Sequence, residues 1–343
     1  MDRPLAGIRV TDLTRHIAGP FCASLLADMG ADVIKVESMD GDESRRNPQI
    51  HKGESLFFIS FNRNKRAVTL NLRSDKGKDI LRKLIAKSDV VVENYRPGVM
   101  EEMGLDYENL KKIKKDIILT SISGWGQNGP YARRPGFDFI GQAMAGLMDL
   151  TGFPDGAPVR AGANIGDYVT SLYGALATCA ALRQREATGE GQWVETALMD
   201  CLVSFEGPFL ARYGVTGEIE KRVGDRSYFG APNNIYKASD GWVTIVTNAD
   251  YLYHRLCRAI GREDLIDDPR FKTRPVRASN WEAIDAEVQG WIEKHTQAEI
   301  SDIFVKYEVP FAPVQDMRQV FNDPQIKARE MVIESDHPVV GKV

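Results

Sequence analysis

Cysteine and histidine are scarce in this chain of 343 residues. The four cysteines, Cys22, Cys179, Cys201 and Cys257, stand far apart and form no CxxC pair. They read as small buried hydrophobes of a reducing compartment, not as a disulfide frame or a zinc site. The five histidines form no HxxxH pair, so no metal is expected. No apolar run reaches the roughly 18 residues that a membrane helix needs. The opening MDRPLAGIRV carries no signal-peptide pattern, which points to the cytoplasm. A net charge of −4 argues against nucleic acid or a membrane surface as partner. Internal repeats and low-complexity segments are absent too.

What is present is alternation. Gly7–Leu13 (GIRVTDL), Ala31–Glu37 (ADVIKVE), Ala67–Leu72 (AVTLNL), Asp89–Asn94 (DVVVEN), Asp116–Gly124 (DIILTSISG) and Gly191–Leu198 (GQWVETAL) read as strands. Helical patterns separate them: one from Gly19–Pro20 to Met29, one capped by Ser74, then Phe137–Leu150 and Asp167–Glu186. Another runs from Met199 to Tyr213. Strands alternating with helices predict an α/β fold with a mainly parallel sheet, covered on both faces. Beyond the polar stretch Thr216–Ser227 the character changes. Asn233–Asn248 predicts a hairpin turning at Ser239–Asp240–Gly241, and helices are expected over Asp250–Ile260, Trp281–Lys294 and Gln297–Tyr307. We therefore expect a large α/β domain over 1–220 and a small α+β domain over 221–330. The strand-like run MVIESDHPVV lies in 331–343, which is expected to return to the large domain.

The first strand–helix–strand unit invites a dinucleotide reading, with Glu37 at the end of its second strand. Its turn reads TRHIAGPF, however, and without GxGxxG the backbone has no close approach to a pyrophosphate. Glu37 then reads as a solvated strand end. Lys65, Arg66 and Arg73 surround one short strand, either as a solvated charged edge or as a phosphate site. Asn94, Tyr95 and Arg96 follow a strand's carboxyl end, where open α/β sheets bind ligands, although Pro97–Gly98 is also ordinary turn chemistry. The glycine-rich Gly124–Asp138 loop either admits a ligand close to its backbone or permits a tight connection. Asp167 opens a long apolar helix. It is either a helix cap or a carboxylate held among free N–H groups, able to attack an activated acyl group.

Several blocks together are similar to class III CoA-transferases, the CaiB/BaiF family. They are PLAGIRVTDLTRHIAGPFCASLLADMGADVIKVE, NRNKRAVTLNL, VVENYRPGVMEEMGLDYE, SGWGQNGPYARRPGFDF, IGDYVTSLYGALA and TGEGQWVETALMD. The resemblance implies an open Rossmann-like large domain, a smaller domain and an interlocked homodimer. It implies transfer of coenzyme A from an acyl-CoA donor to a carboxylic acid acceptor, with no permanently bound cofactor and no metal. Asp167 falls on the family's catalytic aspartate and implies covalent aspartyl intermediates. The CoA-contacting segments fall on His16, Ile17 and Ala18, on Leu70, Asn71, Leu72 and Arg73, and on Asn94, Tyr95 and Arg96. Phe137, Asp138 and Gly230 fall on substrate-facing stretches.

Departures from the family pattern bear on specificity. Phe137 stands where 2-methylacyl-CoA racemases of the family place a histidine, and Asp250 lies beside the position of their second acid. That weakens the racemase alternative. Ile17 and Phe137 replace the polar pair of the formyl-CoA branch, and Gly230 is all that matches its glycine run. A less polar acyl pocket is the expectation. A CoA-binding protein without catalysis is the third alternative. Family members continue several tens of residues past the position of Val343.

Overall fold

The computed structural model describes residues 3–343, which divide into two compact units. One comprises the chain up to Leu150 together with Val159–Glu220 and Asp336–Val343. The other comprises Thr151–Pro158 and Lys221–Ser335.

The first unit is built on β1 (Arg9–Asp12), β2 (Asp32–Glu37), β3 (Lys65–Thr69), β4 (Val90–Glu93), β5 (Ile118–Ser123) and β6 (Trp193–Ala197). All pair in parallel, in the order β3-β2-β1-β4-β5-β6. Val10 is in register with Val33 on one side and Val90 on the other. The inner strands are nearly continuous apolar runs because both faces are covered. On one face α1 (Ala18–Asp28) and α6 (Ile165–Thr188) bury Cys22, Leu26, Ala175 and Ala181 against Val10, Val92 and Ile122. On the other, α3 (Asp75–Ile85) and α4 (Tyr107–Ile113) bury Leu81, Ile85 and Leu110 against Leu13, Val91 and Leu119. Ser74 caps α3, its Oγ accepting from the Gly77 N–H at 3.1 Å. Strand order reverses between β1 and β4, so a crevice opens beyond their carboxyl ends.

The remaining labelled helices of this unit are α2 (Leu56–Asn62), α5 (Asp138–Met144) and α7 (Leu198–Val203). The helix expected over Phe137–Leu150 is broken by Gly146 at φ +94°, leaving α5 and a turn at Leu147–Leu150. The one expected over Met199–Tyr213 splits at the 3-10 turn Ser204–Glu206, where Pro208 opens a new helix, Gly207–Thr216. MVIESDHPVV is not one strand: Asp336–His337 pairs with Gly341–Lys342 as a small hairpin, and Met331–Ser335 belongs to the other unit.

The second unit has an antiparallel sheet in which β8 (Trp242–Val246) lies between β7 (Asn233–Lys237) and β9 (Phe311–Pro313). Its helices include α8 (Asp250–Ala259), α9 (Trp281–Ile292) and α10 (Gln297–Lys306), which bury Leu256, Val288, Ile292, Ile300 and Phe304 on Tyr236, Val243 and Ile245. A Thr296–Glu299 capping box starts α10. The short strand β9, with only three residues, gave no sequence signal.

Candidate active site

Three loops meet at the carboxyl end of the parallel sheet. The loop after β1 turns through His16, whose φ of +65° is a left-handed conformation uncommon for a side chain with a Cβ. Asn94, just after β4, holds that loop by a two-way amide pair. The Arg15 N–H donates to its Oδ1 at 2.8 Å, and its Nδ2 donates to the Arg15 carbonyl at 2.8 Å. Gly19 makes this approach possible, because a Cβ there would lie 2.4 Å from Thr14 Cβ and 3.0 Å from Asn94 Cγ.

The third loop follows β5. Gly124 and Gly136 meet backbone to backbone, a Cβ on either lying 2.7 Å from the other's Cα. The Trp125 indole N–H donates to the Pro135 carbonyl at 3.1 Å. These contacts close the loop and return Phe137 and Asp138 to the sheet's edge. The glycines at its two ends therefore serve a tight connection.

Asp138 is 5% exposed at the first position of α5. Its Oδ1 accepts from the Gly166 N–H at 2.7 Å, and its Oδ2 accepts from Gln142 Nε2 at 2.7 Å. Asn164 makes no side-chain cap at the start of α6, so Asp138 supplies the cap from another helix. Asp167 is thus not the cap of α6. It is the third residue of the helix, in the first turn, and faces a cavity of about 700 Å³. Its carboxyl has no hydrogen-bond partner among the described residues. Burial first, and then the Asp138 charge, push it up to about 7. The helix N-terminus was expected to favour the ionised form, but loss of solvent outweighs it here.

The cavity collects His16, Ile17, Ala18, Asn94, Tyr95, Arg96, Phe137, Asp138 and Asp167. Four arginines, Arg15, Arg96, Arg134 and Arg160, share its wall. Arg15 lies 5.6 Å over the Tyr95 ring and Arg160 lies 5.3 Å over the Phe139 ring. Arg15, Arg134 and Arg160 were missed in the sequence because each lies in a loop with no spacing to mark it as a ligand contact. Ile17 is buried and Phe137 is 56% exposed, with its ring edge-on to His16 at 6.0 Å. Ile17 and Phe137, from which a less polar acyl pocket was expected, thus share the wall with four arginines.

Other candidates lie elsewhere. Leu70 and Leu72 pack into the core beneath α3, and the Asn71 Oδ1 accepts from the Arg73 N–H at 3.1 Å in the turn after β3. None of the four lines the cavity. Gly230 belongs to the second unit, where a Cβ would meet Asn248 Cβ at 3.1 Å and Arg274 Nε at 3.4 Å. Asp250 pairs there with the buried Arg277 at 2.6 Å.

The basic cluster divides: Arg66 and Arg73 lie exposed at the sheet's edge, whereas Lys65 does not. Lys65 is buried and donates to Asp12 Oδ2 at 2.9 Å, the Pro20 carbonyl at 2.7 Å and Asn62 Oδ1 at 3.0 Å. Arg66 forks onto Asp32 at 2.6 and 2.7 Å. Arg73 alone remains exposed without a side-chain partner among the described residues. Glu37 is likewise no solvated strand end. It is 5% exposed, accepting from the Asp42 N–H at 2.8 Å and from Arg45 at 2.7 and 2.8 Å.

The geometry agrees with the comparisons to known proteins. The profile described as CoA-transferase family III matches residues 5–343. The chain is 37% identical to the succinyl-CoA–D-citramalate CoA-transferase of Chloroflexus aurantiacus, over 99% of this chain and 86% of that protein. It is 39% identical to the succinyl-CoA:mesaconate CoA-transferase of Haloarcula marismortui, over 97% and 86%. A crystal structure of a CaiB/BaiF family protein from Brucella suis superposes with a TM-score of 0.89 at 37% identity, covering 99% of this chain and 91% of that one. This chain belongs to CoA-transferase family III and is an enzyme of that class.

Proposed function

We propose that the enzyme moves coenzyme A from an acyl-CoA to a free carboxylic acid through covalent intermediates on Asp167. The observation that carries the reading is an unpaired carboxyl, raised to about 7, facing a cavity walled by arginines. A carboxylate that burial leaves poorly stabilised is a better nucleophile than a solvated one.

Four acyl transfers balance. The Asp167 oxygen attacks the donor thioester carbonyl, giving a mixed anhydride and CoA thiolate. The thiolate attacks the aspartyl carbonyl, releasing the donor acid and leaving an aspartyl–CoA thioester. The acceptor carboxylate attacks that thioester and displaces the thiolate again. The thiolate then attacks the acceptor's carbonyl, forming the new acyl-CoA and restoring Asp167. No proton is gained or lost in the sum.

The two relatives' names pair succinyl-CoA with a dicarboxylic acid. Arg15, Arg96, Arg134 and Arg160 favour the same class here, since guanidinium forks match a second carboxylate. We therefore place a succinyl-type donor and a dicarboxylate acceptor in this site. His16, Ile17 and Ala18 with Asn94, Tyr95 and Arg96 would hold the thioester end. Leu70, Asn71, Leu72 and Arg73 would meet the CoA farther out. A second copy of the chain is expected on the apolar faces of α5 and α6, where Ile140, Met144, Leu172 and Leu176 are exposed.

The test is transfer from succinyl-CoA to a panel of mono- and dicarboxylates. Formation of a new thioester only when a dicarboxylate is added supports the reading. Exchange of an α-proton in deuterated water without any acid acceptor would point to racemisation instead.

A further inference from the structure

The NRNK segment leading into β3 resembles the family, yet Lys65 does not line the Asp167 cavity. It reaches the underside of the loop that carries His16. Two buried ion pairs lie there, Lys65 with Asp12 at 2.9 Å and Lys35 with Asp42 at 2.8 Å. Both lysine side chains are almost fully enclosed, at 2% and 1% exposure. Burying two ammonium groups is costly, and side chains of this kind are seldom enclosed without a partner-specific reason.

Each lysine also holds a backbone carbonyl. Lys35 Nζ donates to the Thr14 carbonyl at 2.7 Å, and Lys65 Nζ donates to the Pro20 carbonyl at 2.7 Å. Asp12 accepts from the Thr14 N–H at 2.8 Å and from its hydroxyl at 2.5 Å. Two further tethers come from the neighbouring elements. Asn94 holds both sides of Arg15, and the Ser171 hydroxyl is shared between the Ala18 carbonyl at 2.7 Å and the Asp167 carbonyl at 2.6 Å. Ser171 sits one helical turn beyond Asp167 on α6. The segment from Thr14 to Pro20 is therefore held at Thr14, Arg15, Ala18 and Pro20. His16, in its left-handed conformation, lies between the tethers and lines the Asp167 cavity. His16 precedes Ile17, the N-cap of α1, so its carbonyl stands outside the helix ladder, whose first bond runs from the Phe21 N–H to the Ile17 carbonyl at 2.8 Å. A conformation of this kind persists where the surroundings over-determine it.

We propose that Lys35 and Lys65 are positioning residues for the His16–Ala18 loop, setting its backbone for an acyl-CoA thioester although neither touches the ligand. The proposal rests on the reading of that loop as a thioester contact. Its consequence is energetic coupling between each ion pair and His16, which a merely structural pair would not have.

The experiment measures binding alone, so that it does not depend on Asp167 as nucleophile. A non-cleavable thioether analogue of succinyl-CoA is titrated calorimetrically into the Asp167→Asn enzyme. The same titration is repeated after adding His16→Ala, the paired change Lys65→Met with Asp12→Asn, and both together. The pair is changed as a unit so that no charge is left buried alone. Thermal unfolding and circular dichroism check each fold. We expect His16→Ala and the paired change each to weaken binding about tenfold, and their combination to weaken it by less than twofold further. Multiplying effects, or a paired change that leaves affinity intact, would overturn the proposal. If His16→Ala itself leaves affinity unchanged, the loop is not the thioester contact, and the proposal falls with that reading. Should the Lys65 pair fail to fold, Lys35→Met with Asp42→Asn repeats the cycle at Thr14, with the same two outcomes.

Discussion

Asp138 and Asp167 stand on different helices and are joined through a single amide. The Asp138 Oδ1 accepts the Gly166 N–H at 2.7 Å, one residue before Asp167. The same carboxylate that fixes where α6 begins also adds, after burial, to the lift of Asp167 to about 7. Asp138 thus bears on both the position and the basicity of the nucleophile.

Asp138→Asn separates the two roles. An asparagine oxygen still accepts from Gly166, while the negative charge is gone. Thioester attack needs ionised Asp167, so kcat/KM for the acyl-CoA should fall in the parent as pH drops through about 7. In the variant this acid limb should move to lower pH, because the Asp138 charge no longer adds to the effect of burial. A pH–rate profile measures it, and a limb that stays in place would count against the coupling.

Stability should respond to pH in the opposite direction from activity. Asp167 rises from an ordinary 3.8 to about 7, and burial pushes Glu93, 2% exposed on β4, from 4.5 to about 7. Both groups hold a proton more tightly folded than unfolded. Their contribution is full below about pH 4 and is lost as pH rises to about 7. Asp167→Asn should therefore stabilise the protein at pH 8, by on the order of 1–3 kcal/mol. Glu93→Gln should flatten the remaining decline. Urea titrations across pH 4 to 8 read both effects.

Gly166 is required by the approach of α5 and α7 to the start of α6. A Cβ there would lie 2.9 Å from Asp138 Oδ1 and 3.0 Å from Leu202 Cδ1. Gly166→Ala should cost about 1–3 kcal/mol of stability. It should also reduce activity more than the stability loss explains, because the displaced carboxyl is one residue away. Calorimetric unfolding alongside kcat separates the two. Wild-type activity in the folded variant would contradict this account of the site.

Lys65→Met alone differs from the paired change that keeps charge balanced. It leaves the Asp12 carboxylate, 0% exposed, without its cation. Burial acts to raise Asp12, and Lys65 and Lys35 together hold it below its ordinary value. The single variant should lose about 3–5 kcal/mol, and Lys65→Met with Asp12→Asn much less. Equal losses would mean that the charges do not matter to the fold.

The parallel sheet was legible because its strands are short apolar runs between helix signals, and Ser74 announced its own cap. Asp167 could be named from the blocks around it, but not its environment. Its raised basicity depends on Asp138, 29 positions away in the chain, and on burial that no local pattern encodes. Lys65 was misread for the same reason. A lysine beside two arginines looks like an exposed charge until Asp12 and the Pro20 carbonyl are found around it. Arg134 and Arg160 gave no signal, since loop conformation alone brings them to the cavity.

The central claim is that Asp167 becomes covalently acylated. The most direct test is intact-protein and peptide mass spectrometry after incubation with succinyl-CoA, with hydroxylamine or borohydride added to trap the aspartyl intermediate. The account predicts a trapped adduct on the peptide containing Asp167, absent from Asp167→Asn. Efficient CoA transfer with no adduct on that peptide, or transfer that survives in Asp167→Asn, would contradict it.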